Sequence, residues 1–243
     1  MKLMMIAATT MLLLTIGSDS REKTMSKPMS LDAKQQGIIL IAAFTANGNI
    51  ERLNSALNEG LDAGLTVNEI KEVLIQMYAY AGFPRSLNGI FVFMSVLDER
   101  KARGIEDEVG RDASPPPANL DKDEYGAKVR ASLGGQDQIP PPAAWQEFAP
   151  TIDTFLKEHL FADIFVRDVL DFKSRELATV AALASMTGTE GQLKFHLGAA
   201  MNTGLTEAQM KDFISVLKSQ VGSNEAALAT KVLTEILNNR TEK

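Results

Sequence analysis

The chain repeats itself. Leu31-Asp32-Ala33-Lys34 returns 139 residues later as Leu170-Asp171-Phe172-Lys173, and Ile41-Ala42-Ala43 as Val180-Ala181-Ala182. One residue is gained near Gly188. The offset is then 140, and Gly64-Leu65-Thr66 returns as Gly204-Leu205-Thr206, Gly82 as Gly222. An ordered repeat of this length means that one supersecondary unit is used twice, with each copy burying an apolar face that it cannot bury alone. Any fold for this chain must therefore place two equivalent bodies side by side.

The unit reads as helical throughout, so the fold class is all-α, with two tandem helical repeats. In the first copy, residues 31–103, an apolar stretch from Ile38 to Phe44 ends at the turn signal Ala46-Asn47-Gly48-Asn49. A second helix runs from Ile50 to Ala63 and closes on Gly64. Thr66-Val67-Asn68-Glu69 has the form of a capping box, in which hydroxyl and carboxylate each satisfy the other residue's backbone N–H. Thr206 and Gln209 repeat it in the second copy. Gly82-Phe83-Pro84 breaks the following helix, and Pro84 is placed to open the next one. That last helix carries Ile90-Phe91-Val92-Phe93-Met94, apolar nearly all round, which implies burial in a bundle or a subunit interface.

Between the copies, residues 104–146 hold six of the nine prolines, at 115–117 and 140–142, and read as a long connection wrapped over the repeats. Helical spacing resumes from Phe148 to Val169, within a second repeat spanning 147–243. Ahead of the first copy, Lys2 and the apolar run from Leu3 to Ile16 read as a secretory signal over residues 1–20, too short to span a bilayer comfortably. The signal implies a periplasmic or secreted protein; a translation start at Met25 instead implies a cytoplasmic one.

Composition removes whole classes of chemistry. There is no cysteine, hence no disulfide, thiolate metal site or thiol peroxidase nucleophile. Two histidines, His159 and His196, argue against a multi-histidine metal site, and no metal is expected. A net charge of −6 without a basic stripe argues against nucleic acid as a partner.

The copies differ most in their polar residues. Glu72, Gln76 and Tyr80 recur every four positions along one helix of the first copy, where the second has Asp212, Val216 and Gln220. The second copy instead holds Glu176 and His196, where the first has Gly37 and Ala56. Two readings of this reciprocity stay open. The half-sets could form one composite pocket, or both copies could have decayed, leaving Glu72 and Gln76 as a surface stripe, Glu176 in a helix-start ion pair and His196 on a backbone carbonyl. Arg85 could fork onto a substrate carboxylate, or be a solvated helix-start charge. His159, between Glu158 and Leu160, reads as a surface residue.

Arg175-Glu176-Leu177 followed by His196, Ala200, Asn202 and Gly204-Leu205-Thr206 resembles the first half of a carboxymuconolactone decarboxylase domain. Glu69-Ile70, Glu72-Val73, Gln76 and Tyr80-Ala81-Gly82-Phe83-Pro84 resemble its second half. The resemblance implies an alkylhydroperoxidase D-like fold and cofactor-free loss of carbon dioxide from a small carboxylated lactone or acid. It implies catalytic roles for His196, Glu176 and Glu72, with Gln76, Tyr80 and Arg85 around the substrate. Glutamate and histidine at this spacing form a proton relay in the family. Relatives that reduce peroxides carry Cys-x-x-Cys seven and four residues before the histidine; Thr189 and Gln192 stand there instead. Single-repeat relatives assemble as rings, commonly hexamers, so a two-repeat chain is expected to form a homo-oligomer, by preference a trimer, with residues 90–97 in the interface. A degenerate, non-catalytic binding or structural oligomer is the alternative.

Overall fold

A computed structural model describes residues 30–241, and the N-terminal apolar run lies outside the described residues. No strand occurs among them, and no helix is long and apolar enough to cross a membrane. The first copy comprises α1 (Ala33–Asn47), α2 (Ile50–Asp62) and α3 (Val67–Ala102). The second comprises α7 (Phe172–Ala184), α8 (Glu190–Asn202), α9 (Glu207–Val216) running into a π-helical turn Leu217–Val221, and α10 (Ser223–Thr241).

Local signals set these boundaries. Both capping boxes form, with Thr66 accepting from the Glu69 N–H and Thr206 from the Gln209 N–H. Gly64 and Gly204 adopt the left-handed backbone that closes the preceding helix. At Gly82 the chain leaves helical geometry (φ 82°, ψ 160°), so α3 is two helices meeting at a kink, with Pro84 in the first turn of the second. Gly222 marks the same break between the π-helical turn and α10.

The centre of the molecule is α1 packed against α7. Both helices are buried almost all round, from Gly37 to Ala46 and from Arg175 to Ala184. Around them the contacts are reciprocal: α3 meets α7, while α9 and its π-helical turn meet α1, as a pseudo-twofold relation between copies requires. One continuous apolar core runs through both, from Ile39 and Leu57 to Leu177 and Phe213.

The connection is more ordered than its prolines suggest. It contains α4 (Lys122–Leu133), capped by Asp121, and α5 (Ala144–Phe148). Helical structure does not run unbroken from Phe148 to Val169. Ala149 leaves helical geometry (φ −134°, ψ 68°), Pro150 opens the short α6 (Pro150–Phe155), and the chain continues as a π-helix over Leu156–Ile164. Alpha-4 lies against that π-helix and against α8, and builds a second small core from Val129, Leu133, Leu160, Phe161 and Ile164. Gly126 permits the approach, because a Cβ there would sit 2.0 Å from the Lys157 carbonyl oxygen. Upstream of α4, the Val67 and Asn68 amides donate to the carbonyls of Glu108 and Val109, fastening the connection to the first copy.

Candidate functional site

Glu176 lies in the first turns of α7, and His196 lies midway along α8. Both are buried, at 0% and 5% exposure. His196 Nδ1 sits 2.9 Å from Glu176 Oε2. A carboxylate accepting at that distance places the imidazole proton on Nδ1 and fixes the orientation of the ring. Nε2 makes no hydrogen bond among the described residues, on a ring that lines a cavity.

Tyr80 joins them from the first copy. Its ring meets the His196 ring edge-on, with centroids 5.5 Å apart. Its hydroxyl and Glu176 Oε1 are both buried without a hydrogen-bond partner among the described residues. Thr179 lies beside the phenol. Its Oγ1, however, already donates to the Arg175 carbonyl and accepts from Gln76 Nε2. Burial first, and then the Glu176 carboxylate, push the Tyr80 phenol well above its usual pKa range, so it stays a protonated donor. The unmatched Tyr80 hydroxyl on a residue of the cavity wall, with Glu176 Oε1 unmatched beneath it, is the kind of exception that calls for a bound group.

The cavity has a volume of about 1050 Å³. Leu183 and Phe195 line it from α7 and α8, Tyr80 from the first copy, and Trp145 of α5 with Leu156 and Phe161 of the π-helix supply much of the rest. Arg130 of α4 also reaches it, but its Nη1 is committed to Asp153 at 2.6 Å. Asp153 accepts from Gln146 as well, and Lys157 Nζ lies 3.4 Å away.

Glu72 and Gln76 are placed differently. Both are buried, so they form no surface stripe, but neither lines the cavity. Glu72 is gripped by Arg167 through Nε and Nη2 and by Arg175 Nη2, with oxygens 2.6–3.1 Å away. Gln76 accepts from Arg175 Nη1 and donates to the Arg175 carbonyl and to Thr179. Arg175 is fully buried, and burial lowers its pKa; the hydrogen bonds that Arg167 donates to Glu72 raise that of Arg167. Arg85 is exposed and packs against Gly48 at the α1–α2 turn, away from the cavity. His159 is exposed, with Nδ1 2.9 Å from Asp163.

The structure thus brings together Glu176, His196 and Tyr80. It sets Glu72 and Gln76 in a structural network and leaves Arg85 apart. Sequence reasoning missed Arg167, the chief partner of Glu72, and Trp145 and Arg130, which the connection brings to the cavity. The aromatic residues of the connection were the available signal, since a solvated linker has little use for Trp145.

The family model described as carboxymuconolactone decarboxylase family matches residues 19–93 and 150–235, one region for each copy. A 4-carboxymuconolactone decarboxylase from Acinetobacter baylyi (strain ATCC 33305 / BD413 / ADP1) is 27% identical over 92 residues, covering 37% of this chain and 68% of that protein.

Proposed function

The chain belongs to the carboxymuconolactone decarboxylase family, and from that premise we propose that it is a cofactor-free carboxy-lyase acting on a carboxylated lactone or related acid. The observation that carries this reading is the buried Glu176–His196 contact at 2.9 Å, with the His196 ring on the wall of a large cavity and the Tyr80 phenol against the same imidazole. In the proposed step, the bond between the substrate's ring carbon and its carboxylate breaks. Carbon dioxide leaves, and the bonding pair passes into the conjugated carbonyl. Protonated His196 delivers its Nε2 proton to the carbon that takes up the charge, Glu176 stabilises the imidazolium, and water later returns the proton. Tyr80 donates to the developing oxyanion, in a site where low polarity strengthens such a bond.

The test is carbon dioxide release from a panel of carboxylated lactones. His196→Ala is expected to lower turnover by about 10²–10⁴-fold, the usual range for a positioned general acid, with the fold intact. Equal turnover in that variant would refute the relay. Absence of turnover throughout the panel, with ligand binding retained, would favour the non-catalytic reading, which draws on the structural use of Glu72 and Gln76.

The same proposal includes self-assembly. Phe83, Leu87, Phe91 and Met94 form an exposed apolar stripe on the second half of α3. Their counterparts on α10 are Ser223, Ala227, Lys231 and Thr234, all exposed and none of them large and apolar. A stripe kept on one copy only is suited to a second chain rather than to solvent. Light scattering is expected to show an oligomer that Phe91→Glu dissociates; a monomeric wild type at micromolar concentration would remove this part.

A further inference from the structure

The cavity's walls say more about its ligand than the relay does. Clefts of roughly 300–1,000 Å³ enclose drug-sized ligands, and this one stands at the top of that range at about 1050 Å³. A small lactone would leave most of it unfilled. Away from His196 and Tyr80 the lining is dominated by Trp145, Ile152, Leu156, Leu160, Phe161 and Phe195. Trp145, Ile152 and Phe195 are 46%, 50% and 39% exposed, so apolar surface faces water at the place a ligand would cover.

The charges are as informative. Arg130 is the only lysine or arginine lining the cavity among the described residues. It is neutralised by Asp153 at 2.6 Å, and both side chains are largely buried. Asp153 is drawn on further by Gln146 and Lys157. No unpaired cation is left to hold a second carboxylate. A dianion would have to bury one charged group against aliphatic and aromatic side chains, at heavy cost. At the relay end lie the Tyr80 hydroxyl and the His196 ring nitrogen that Glu176 does not take, and apart from Arg130 the remaining polar lining, Gln136, Thr189 and Gln192 among it, is uncharged.

Resting on the lyase reading of this same site, we infer that the substrate is a bulky, mainly apolar monoacid. Its single carboxyl group and adjoining unsaturated carbonyl face His196 and Tyr80, and its ring system or chain lies along the α5–α6 wall. A compact dicarboxylated lactone is a poor fit. The inference concerns the shape and charge of the ligand and stands or falls separately from the proton transfer.

Trp145 makes it measurable, since it is the chain's one tryptophan and lines the cavity. The full chain would be titrated with biphenyl-4-carboxylate and with cis,cis-muconate, following Trp145 emission and, in parallel, heat of binding. The expected result is a blue shift and at least tenfold tighter binding of the biphenyl monoacid. Ile152→Arg, a change at an exposed position of the wall, is expected to weaken the monoacid and strengthen the dianion. Muconate binding as tightly as the monoacid, or no binding of the monoacid, would overturn the inference. So would a preference unmoved by Ile152→Arg, because binding would then lie elsewhere. None of these readings needs turnover, so a failed relay with a preserved monoacid preference, or the reverse, is told apart directly.

Discussion

The two copies handle the same helix pair in opposite ways. In the second, α7 and α8 carry Glu176 and His196, and the pair opens onto a cavity roofed by the connection. In the first, the matching positions are Gly37 and Ala56. A Cβ on Gly37 would lie 3.1 Å from Leu65 Cδ1 and 3.3 Å from Gly60 Cα, so α1 and α2 close on each other through backbone. On the proposed reading, one copy uses this interface for packing and the other for chemistry. A copy that has closed its pocket is free of the cost of burying ionisable groups, and on that reading the molecule keeps one site rather than two.

The comparison also explains Glu72, which the resemblance casts as catalytic. Its counterpart Asp212 accepts from the Leu31 N–H at 2.8 Å, at the head of α1. Glu72 itself binds Arg167 and Arg175 at the head of α7. In each copy an acidic residue at the same position ties down the other copy's first helix. The largest predicted effect follows. Glu72→Ala leaves the fully buried Arg175 without its anion, and removing one partner of a buried pair costs about 3–5 kcal/mol. Chemical denaturation should show a loss of that size. Glu72→Gln, assayed well below its melting point, should keep turnover within a few-fold of wild type. A hundredfold loss of turnover in a folded Glu72→Gln would return Glu72 to the reacting groups and break the structural parallel with Asp212.

How much of this was legible in the sequence depends on distance along the chain. The capping boxes at Thr66 and Thr206, the glycine closures and the break at Gly82 involve residues a few positions apart, and all formed as read. The repeat register required two equivalent bodies side by side, but that α1 meets α7 and α3 meets α7 came only with the structure. The partners of Glu72 lie 95 and 103 residues away, and no local pattern points to them. Gln76 bonds across 99 residues and so read equally well as surface. Alpha-4 was hidden because its charged face, with Lys122, Asp123, Glu124 and Lys128, resembles a linker, and its burial depends on a π-helix that spacing rules do not foresee.

A second contrast lies between the repeats and the connection that roofs the site. The repeats are held by a continuous apolar core, while α4 is fixed to α6 and the π-helix partly by charge. Burial pushes the Asp153 pKa up. Hydrogen bonding and charge from Arg130, then Gln146 and Lys157, outweigh that and hold it below the ordinary carboxylate value. A depressed folded pKa adds stability that is present above the unfolded value, near about 3.9, and is lost as pH falls through the folded value. Asp153→Asn should therefore cost about 1–3 kcal/mol at neutral pH. Its deficit relative to wild type should shrink below about pH 4. The effect should centre on the roof, with faster proteolysis between Gly134 and Ala143 than within α7 or α8. A deficit that stays constant into acid would mean that the carboxylate's charge is irrelevant there.

The smallest expected effect is the sharpest check on the one-site reading. Ala56 occupies in α2 the place His196 holds in α8, and it is 2% exposed within the closed packing of the first copy. Serine is barely larger, and its hydroxyl can return a hydrogen bond to the carbonyl four residues back on the same helix. Ala56→Ser should cost no more than about 0.5 kcal/mol, the scale of the helix-propensity difference. It should leave turnover and ligand binding untouched. His196→Ser, the same side chain at the equivalent place in the other copy, should abolish turnover and also lower stability, since it leaves the buried Glu176 carboxylate without its partner. Paired measurement of both serine variants therefore holds side chain and helix position constant and varies only the copy. If Ala56→Ser lowered activity comparably, the first copy would hold a working site of its own, and the division between a packing interface and a chemical one would fall.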